Sequence, residues 1–256
     1  MESFYEPDGD ALGATALTRG PWDDRFQHGG PPTALLVRGM RQLTGMGQST
    51  LARIVVAFHR PVPIGRCVVH ARTEHAGRTA QRVSAALEVD GVEVLTATGL
   101  CIRKAPVEAF TPAEPEWPAP EGLAAFTFPF FRNPVGYHTA VELRVASGAF
   151  GTTPVRFWAR PRVPLVAGEP TSPVEDAVIL ADAQSGMGLP LPPDRFTFVN
   201  PDLTVAFARE PEKGWMGLDI RSMSGGLGSG LSQSLLSDAR GLFGGCSQSL
   251  VIAPRH

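Results

Sequence analysis

Four side chains and one glycine pair carry groups suited to chemistry on a carbonyl. Asp182 continues a helical stripe made by Glu175, Val178 and Ile179, which puts it near a helix C-terminus. The helix macrodipole there disfavours a carboxylate, and desolvation would raise its pKa toward that of a general base. The competing pattern buries Val174, Ala177, Ala181 and Gln184 and turns Asp182 to water. Gln248 shares a strand face with Cys246, Leu250 and Ile252, so its amide enters an apolar layer and needs a partner. That partner is either a reacting water or a group on a neighbouring strand. Asn200 precedes Pro201, a setting in which a plain turn residue is the default. His28-Gly29-Gly30 leads into Pro31. The glycines either present backbone N–H groups to a developing oxyanion or simply admit a tight turn. His28 is correspondingly a general acid or a turn histidine.

Other chemistries find no support. Gly225-Gly226-Leu227-Gly228-Ser229-Gly230 lacks the GxGxxG spacing and joins strand to strand, so it reads as a flexible hairpin. No GxSxG elbow occurs, which argues against an α/β-hydrolase. His70 and His75 are five apart, a poor spacing for paired helix ligands, and no metal site or cofactor is expected. Cys67, Cys101 and Cys246 lie far apart without a CxxC, which fits a reducing compartment. A net charge of -2 gives no electrostatic footprint for nucleic acid or an anionic membrane. Without a basic-then-apolar leader or an apolar run of about 18 residues, the expectation is a soluble, cytoplasmic protein with no membrane partner. The chain of 256 residues, 43% hydrophobic and 19% charged, is long enough for one large domain or two smaller units.

The elements that hold these residues recur. Val56-Ala57-Phe58-His59-Arg60-Pro61 is echoed by Val205-Ala206-Phe207-Ala208-Arg209-Glu210-Pro211, with Phe58 and Phe207 149 positions apart. The same offset links Gly65 to Gly214 and Gly77 to Gly226, and one more position links Gly91 to Gly241. Leu36, Met40 and Leu43 mark a first helix, and Ser172-Pro173-Val174-Glu175 reads as the capping box of a second of equal length, closed by Gly186. Val83, Ala85, Leu87 and Val89 alternate with Arg82, Ser84 and Glu88 as a half-buried strand, and Asp90-Gly91 turns it into a strand from Val92 to Ile102. A strand near Leu231 to Leu236, a turn at Ala239-Arg240-Gly241 and a last strand to Ile252 repeat that unit, and Tyr137 to Ala146 and Pro154 to Arg160 read as further strands. Pro106, Pro112, Pro115, Pro118 and Pro120 forbid continuous helix or a central strand and mark a linker. The division is an N-terminal unit 1–104, a Pro-rich linker 105–135 and a C-terminal unit 136–256.

A long helix on a curved antiparallel sheet, occurring twice, resembles the double-hotdog acyl-CoA thioesterases of the thioesterase II type. Phe26-Gln27-His28-Gly29-Gly30-Pro31 is similar to that family's glycine pair at the first helix start, and Phe58 to Gly65 to its first-copy strand. Ala181-Asp182-Ala183, Val199-Asn200-Pro201 and Cys246-Ser247-Gln248-Ser249 fall where the family places a catalytic aspartate, threonine and glutamine. The resemblance implies an α+β double-hotdog fold, an acyl-CoA substrate and a homo-oligomer, most simply a dimer. It also implies that Asp182 deprotonates a water held by Gln248 and Asn200, while Gly29 or Gly30, beside His28, polarises the thioester carbonyl. Asn200 in place of the threonine is the departure. A hotdog hydratase or dehydratase with His28 as its catalytic histidine, and a non-catalytic acyl-CoA binding protein in which Asn200 marks a decayed site, are the competing readings.

Overall fold

The computed structural model describes residues 2–43, 46–112 and 116–255; Pro115 lies outside the described residues. The first half runs β1 (Tyr5–Asp8), β2 (Ala11–Ala14), α1 (Gly30–Arg41), β3 (Ser49–Phe58), β4 (Arg66–Ala76), β5 (Ala80–Val89) and β6 (Val92–Arg103). After it come β7 (Ala125–Phe126), α2 (Tyr137–Ala140), β8 (Val141–Ser147), β9 (Val155–Pro161), α3 (Pro173–Ala181) and α4 (Gln184–Gly188). The chain ends with β10 (Phe196–Val199), β11 (Asp202–Phe207), β12 (Met216–Ser224), β13 (Ser229–Asp238) and β14 (Gly241–Pro254). All strands join one 14-stranded antiparallel sheet in the order β1-β2-β4-β5-β6-β3-β11-β14-β13-β12-β9-β8-β7, with β10 paired to β14. The molecule is therefore mostly sheet, with few helices.

The repeat is visible as strand register. Arg72, Ser84, Thr98 and Val55 face one another in turn across β4, β5, β6 and β3. Arg221, Gln233, Ser247 and Thr204 do the same across β12, β13, β14 and β11, each 149 positions after its counterpart. Val55 and Thr204 also face each other where β3 pairs with β11, so an approximate two-fold relates the halves at the middle of the sheet. Apolar alternation explains the layering: Val83, Ala85, Leu87 and Val89 are buried on the face of β5 that receives α1. Asp90 and Gly91 both adopt positive φ, as the two-residue turn between twisted strands requires. Helices α1 and α3 pack on each other, and the main hydrophobic core spans both halves, with a small separate cluster at Leu189, Phe198 and Leu250.

Several expectations need correction. Helix α3 stops at Ala181 and α4 restarts at Gln184, so the second helix is split, shorter than α1, and Gly186 lies inside α4 instead of closing a helix. Leu43 lies beyond the end of α1. Strand β3 ends at Phe58, because Pro61 and Pro63 supply no ladder donors, and residues 59–65 form a loop. Tyr137 to Ala140 is a helical turn that precedes β8. The second part of the linker is docked structure: β7 pairs with β8, and the Arg144 guanidinium donates to the carbonyls of Pro120, Glu121 and Leu123. The β1–β2 hairpin and β10 had no clear signal in the sequence.

The expected capping box is present: Glu175 N–H donates to Ser172 Oγ and Ser172 N–H to Glu175 Oε2. The next residue, Asp176, is buried, with Lys213 Nζ 3.4 Å away. Burial raises its carboxyl to about 6, against the pull of Lys213. An acid raised in the folded state contributes stability that is full below its unfolded value and is lost as pH rises through about 6. Asp176→Asn stays neutral throughout, so its stability advantage over the parent protein should grow from pH 4 to pH 7 and reach about 2–3 kcal/mol. Urea titrations at the two pH values measure this, and a pH-independent difference would contradict the assignment.

Candidate active site

The site forms where the first turn of α1 meets the last turn of α3. Gly30 permits this approach, since a Cβ there would collide with the Ile179 carbonyl oxygen. Gly29 lies over Asp182 at the end of α3 and Phe58 at the end of β3: a Cβ on it would sit 2.8 Å from Asp182 Oδ2 and 2.9 Å from Phe58 Cζ. Pro31 and Pro32 occupy the opening helical turn and carry no N–H. The amides of Gly29 and Gly30 are thus the donors nearest the positive end of α1. Gly29 N–H makes no hydrogen bond among the described residues, whereas Gly30 N–H lies 3.2 Å from His28 Nδ1.

Asp182 is the C-cap of α3 and is only 4% exposed. It does not point to open water. Its Oδ1 accepts from Asn200 Nδ2 at 2.9 Å and from Gln248 Nε2 at 3.2 Å, and its Oδ2 lies 3.1 Å from His28 Nδ1. Gln248 Nε2 donates also to the Asp182 carbonyl at 3.0 Å, and Asn200 Nδ2 to the Asp202 carbonyl at 3.1 Å. Each amide therefore has its nitrogen fixed by two acceptors, which settles its orientation. Gln248 is fully buried, and its Oε1 has no hydrogen-bond partner among the described residues. Asn200 is held in the turn between β10 and β11, so the turn assignment and the polar contact are both realised.

The His28 ring stacks on Tyr137 with centroids 3.7 Å apart and planes 3° from parallel, and Tyr137 Oη donates to the Ile179 carbonyl at 2.9 Å. Burial pushes the His28 pKa down, with Asp182 pulling the other way, so the imidazole is neutral near pH 7. One nitrogen cannot both accept from Gly30 and donate to Asp182. The Nδ1–H tautomer can donate to the Asp182 carboxylate, and it then leaves Gly30 N–H without its acceptor.

Asp182, Asn200, His28 and Gly29 all line a cavity of about 420 Å³. Its remaining wall is largely aromatic, with Trp22, Phe58, Phe128, Phe130, Phe131 and Phe198. The structure thus brings together five of the six residues singled out in the sequence at the cavity or its carboxylate, with Gly30 as the helix contact behind. Tyr137 and the linker phenylalanines were not singled out. Tyr137 was read as the start of a strand, but Phe126-Thr127-Phe128-Pro129-Phe130-Phe131 is a dense apolar run that a solvated tether would not carry.

Sequence profiles of two acyl-CoA thioesterase domains match the chain, the N-terminal domain over residues 18–102 and the C-terminal domain over 108–252. No curated protein sequence gives a significant match. Among solved structures, a conserved hot dog fold protein from Alicyclobacillus acidocaldarius superposes with a TM-score of 0.76 at 18% identity, covering 98% of this chain and 96% of that one. An acyl-CoA thioesterase II from Mycobacterium marinum gives 0.69 at 16% identity over 90% of each chain. A tesB protein of Mycobacterium avium subsp. paratuberculosis gives 0.69 at 17%, over 98% of this chain and 96% of that one. At such identities the likeness speaks for the fold.

Because Gly30 abuts backbone of α3 and not a flexible side chain, it has little room to adjust. Gly30→Ala should force α1 and α3 apart and lower stability by about 1–3 kcal/mol. Denaturant unfolding tests this, and a midpoint unchanged from the parent protein would refute the close-approach account.

Proposed function

Since the chain belongs to the acyl-CoA thioesterase family, we propose that it hydrolyses acyl-CoA thioesters to the free acid and CoA, with Asp182 as general base. The observation that carries this reading is a carboxylate that is buried yet opens on the cavity, held by Asn200, Gln248 and His28. A water donating one proton to Asp182 Oδ2 can donate the other to the amide oxygen of Asn200, which lines the cavity, while Gln248, fully buried, holds the carboxylate through its Nε2. As the water oxygen bonds to the thioester carbon, its proton passes to Asp182. The carbonyl oxygen becomes an oxyanion within reach of the Gly29 N–H and of the positive end of α1. Collapse breaks the C–S bond, and the proton returns to the departing sulfur or to solvent. A thiolate needs no strong general acid to leave, which suits a site whose one histidine is neutral.

In this reading the architecture is a double hotdog, with units 1–104 and 136–256 joined by the linker 105–135. The 149-residue repeat of strand register supports it. The family resemblance likewise supports a homodimer. No helix among the described residues is long and apolar enough to cross a membrane.

One observation favours a second reading. His28 and Asp182, from opposite halves, form a buried contact pair at 3.1 Å, which is the kind of acid–base pair that hydration of an enoyl thioester employs. The two are separated by substrate and by variant. For the hydrolase, thiol release from acyl-CoAs should fall by about 10²–10⁴ in kcat in Asp182→Asn. Asn200→Ala should lose about tenfold, and Asn200→Thr should retain most of the rate. Activity confined to an enoyl-CoA, measured by loss of the conjugated double bond and abolished by His28→Ala, would replace hydrolysis with hydration. An Asp182→Asn protein with undiminished thiol release would remove the general base from the scheme.

A further inference from the structure

The linker between the halves builds one wall of the cavity, and its chemistry bears on what the cavity accepts. Residues 116–131 form a strap fastened at several points. Trp117 packs over Gly217 of β12, where a Cβ would be 2.8 Å from its ring, and meets Trp158 edge-on with centroids 5.0 Å apart. Trp158 Nε1 donates to the Pro118 carbonyl at 2.9 Å, Arg144 holds three strap carbonyls, and β7 closes the edge of the sheet. The strap then turns inward and delivers Phe128, Phe130 and Phe131 to the cavity.

Phe130 occupies the pivotal position. Its Cζ lies 3.3 Å from where a Cβ on Gly186 of α4 would be, just past the break between α3 and α4 at which Asp182 stands. It packs against Trp22 of the first half, centroids 5.8 Å apart and planes 25° from parallel, while Trp22 meets Phe198 edge-on at 4.9 Å. Behind Phe130 stand Phe128, Phe131 and Phe150, at centroid distances of 5.5, 5.6 and 6.0 Å. Phe128 itself is buried, so the wall is backed by packed rings. A flexible alkyl tail lying toward α4 meets this wall at Gly186. A planar ring, in contrast, can stack on or meet edge-on the aromatic side chains that line the cavity, the arrangements aromatic pairs prefer.

Resting on the thioesterase reading above, we infer that the strap is a specificity-determining wall, with Phe130 at its centre, and that the cavity prefers compact acyl groups bearing an aromatic ring over extended alkyl chains. Each favourable ring contact beyond simple area burial corresponds to a few-fold to about tenfold in affinity.

The test is thiol release from phenylacetyl-, hexanoyl- and dodecanoyl-CoA by the full chain and by Phe130→Leu and Phe130→Ala. The parent protein should favour phenylacetyl-CoA over dodecanoyl-CoA by at least about tenfold in kcat/KM. Phe130→Leu, which keeps apolar bulk and the fold but not the ring, should reduce that ratio several-fold, and Phe130→Ala should admit the long chain and bring the ratio near unity or below. Equal use of both substrates by the parent, or a ratio unmoved in Phe130→Leu with native thermal unfolding, overturns the inference while leaving hydrolysis standing. Absence of thiol release from every substrate would instead fail the hydrolase reading. The wall is then judged by binding of phenethyl and dodecyl CoA thioethers through tryptophan fluorescence, where tighter binding of the phenethyl compound, weakened in Phe130→Leu, supports it and equal binding overturns it.

Discussion

A carboxylate taken out of water must be supplied with donors from the protein, because its hydration is worth several kcal/mol even after relaxation. Asp182 sits at the C-terminal end of α3, where carbonyls, and not N–H groups, point toward it. Its donors therefore come from elsewhere: an amide in the β10–β11 turn, an amide in the middle of β14, and a ring from the segment entering α1. Three chain segments far apart in sequence have to converge within hydrogen-bonding distance. The glycine pair that lets α1 touch α3, the prolines that start α1 and the break between α3 and α4 all serve that convergence. The positive end of α1 acts in the same direction, offsetting the unfavourable end of α3.

The matching positions in the first half lack this polarity. Counting back 149 residues, Asn200 corresponds to Leu51 and Gln248 to Gly99. A Cβ on Gly99 would lie 3.0 Å from Met40 Sδ and 3.2 Å from Leu51 Cδ1, so the space is filled by apolar side chains. Leu51 and Met40 are both buried. Two identical subunits cannot diverge in this way, since every change appears twice. In a fused chain one half can keep the buried polar cluster while the other becomes plain core, which removes the cost of satisfying a second one.

How much of this was legible depended on whether the signal was local. The offset between Phe58 and Phe207 was legible because matching strands carry matching apolar patterns, and the same offset governs the register across three strand pairs in each half. The capping box at Ser172 and the turn at Asp90-Gly91 were legible because their hydrogen bonds close within a few residues. The burial of Asp182 was undecided in the sequence, since helical periodicity allowed either face, and contacts with α1 and β14 decide it. The split between α3 and α4 was hidden for a similar reason: nothing at Ala181 to Gln184 is a helix breaker, and the stop accompanies the tertiary contacts of Asp182 with Gln248 and Asn200. Residues 59–65 were misassigned because the resemblance to the family's first-copy strand outweighed Pro61 and Pro63.

The linker shows how the same signal can support only half of an inference. Its prolines correctly exclude helix and central strand, and the segment through Pro112 is indeed exposed coil. They say nothing about docking. What fastens residues 116–131 is aromatic area and strap carbonyls that accept from Arg144 of β8 and Trp158 of β9, with Trp117 seated over Gly217 of β12. Among the described residues of the first half no segment corresponds to this strap. The two-fold arrangement of strands and helices can build a symmetric cleft, but an asymmetric cavity needs a segment that occurs once. The connection between the halves is such a segment, and it is the one that carries Phe128, Phe130 and Phe131 to the side of the sheet where Asp182 lies.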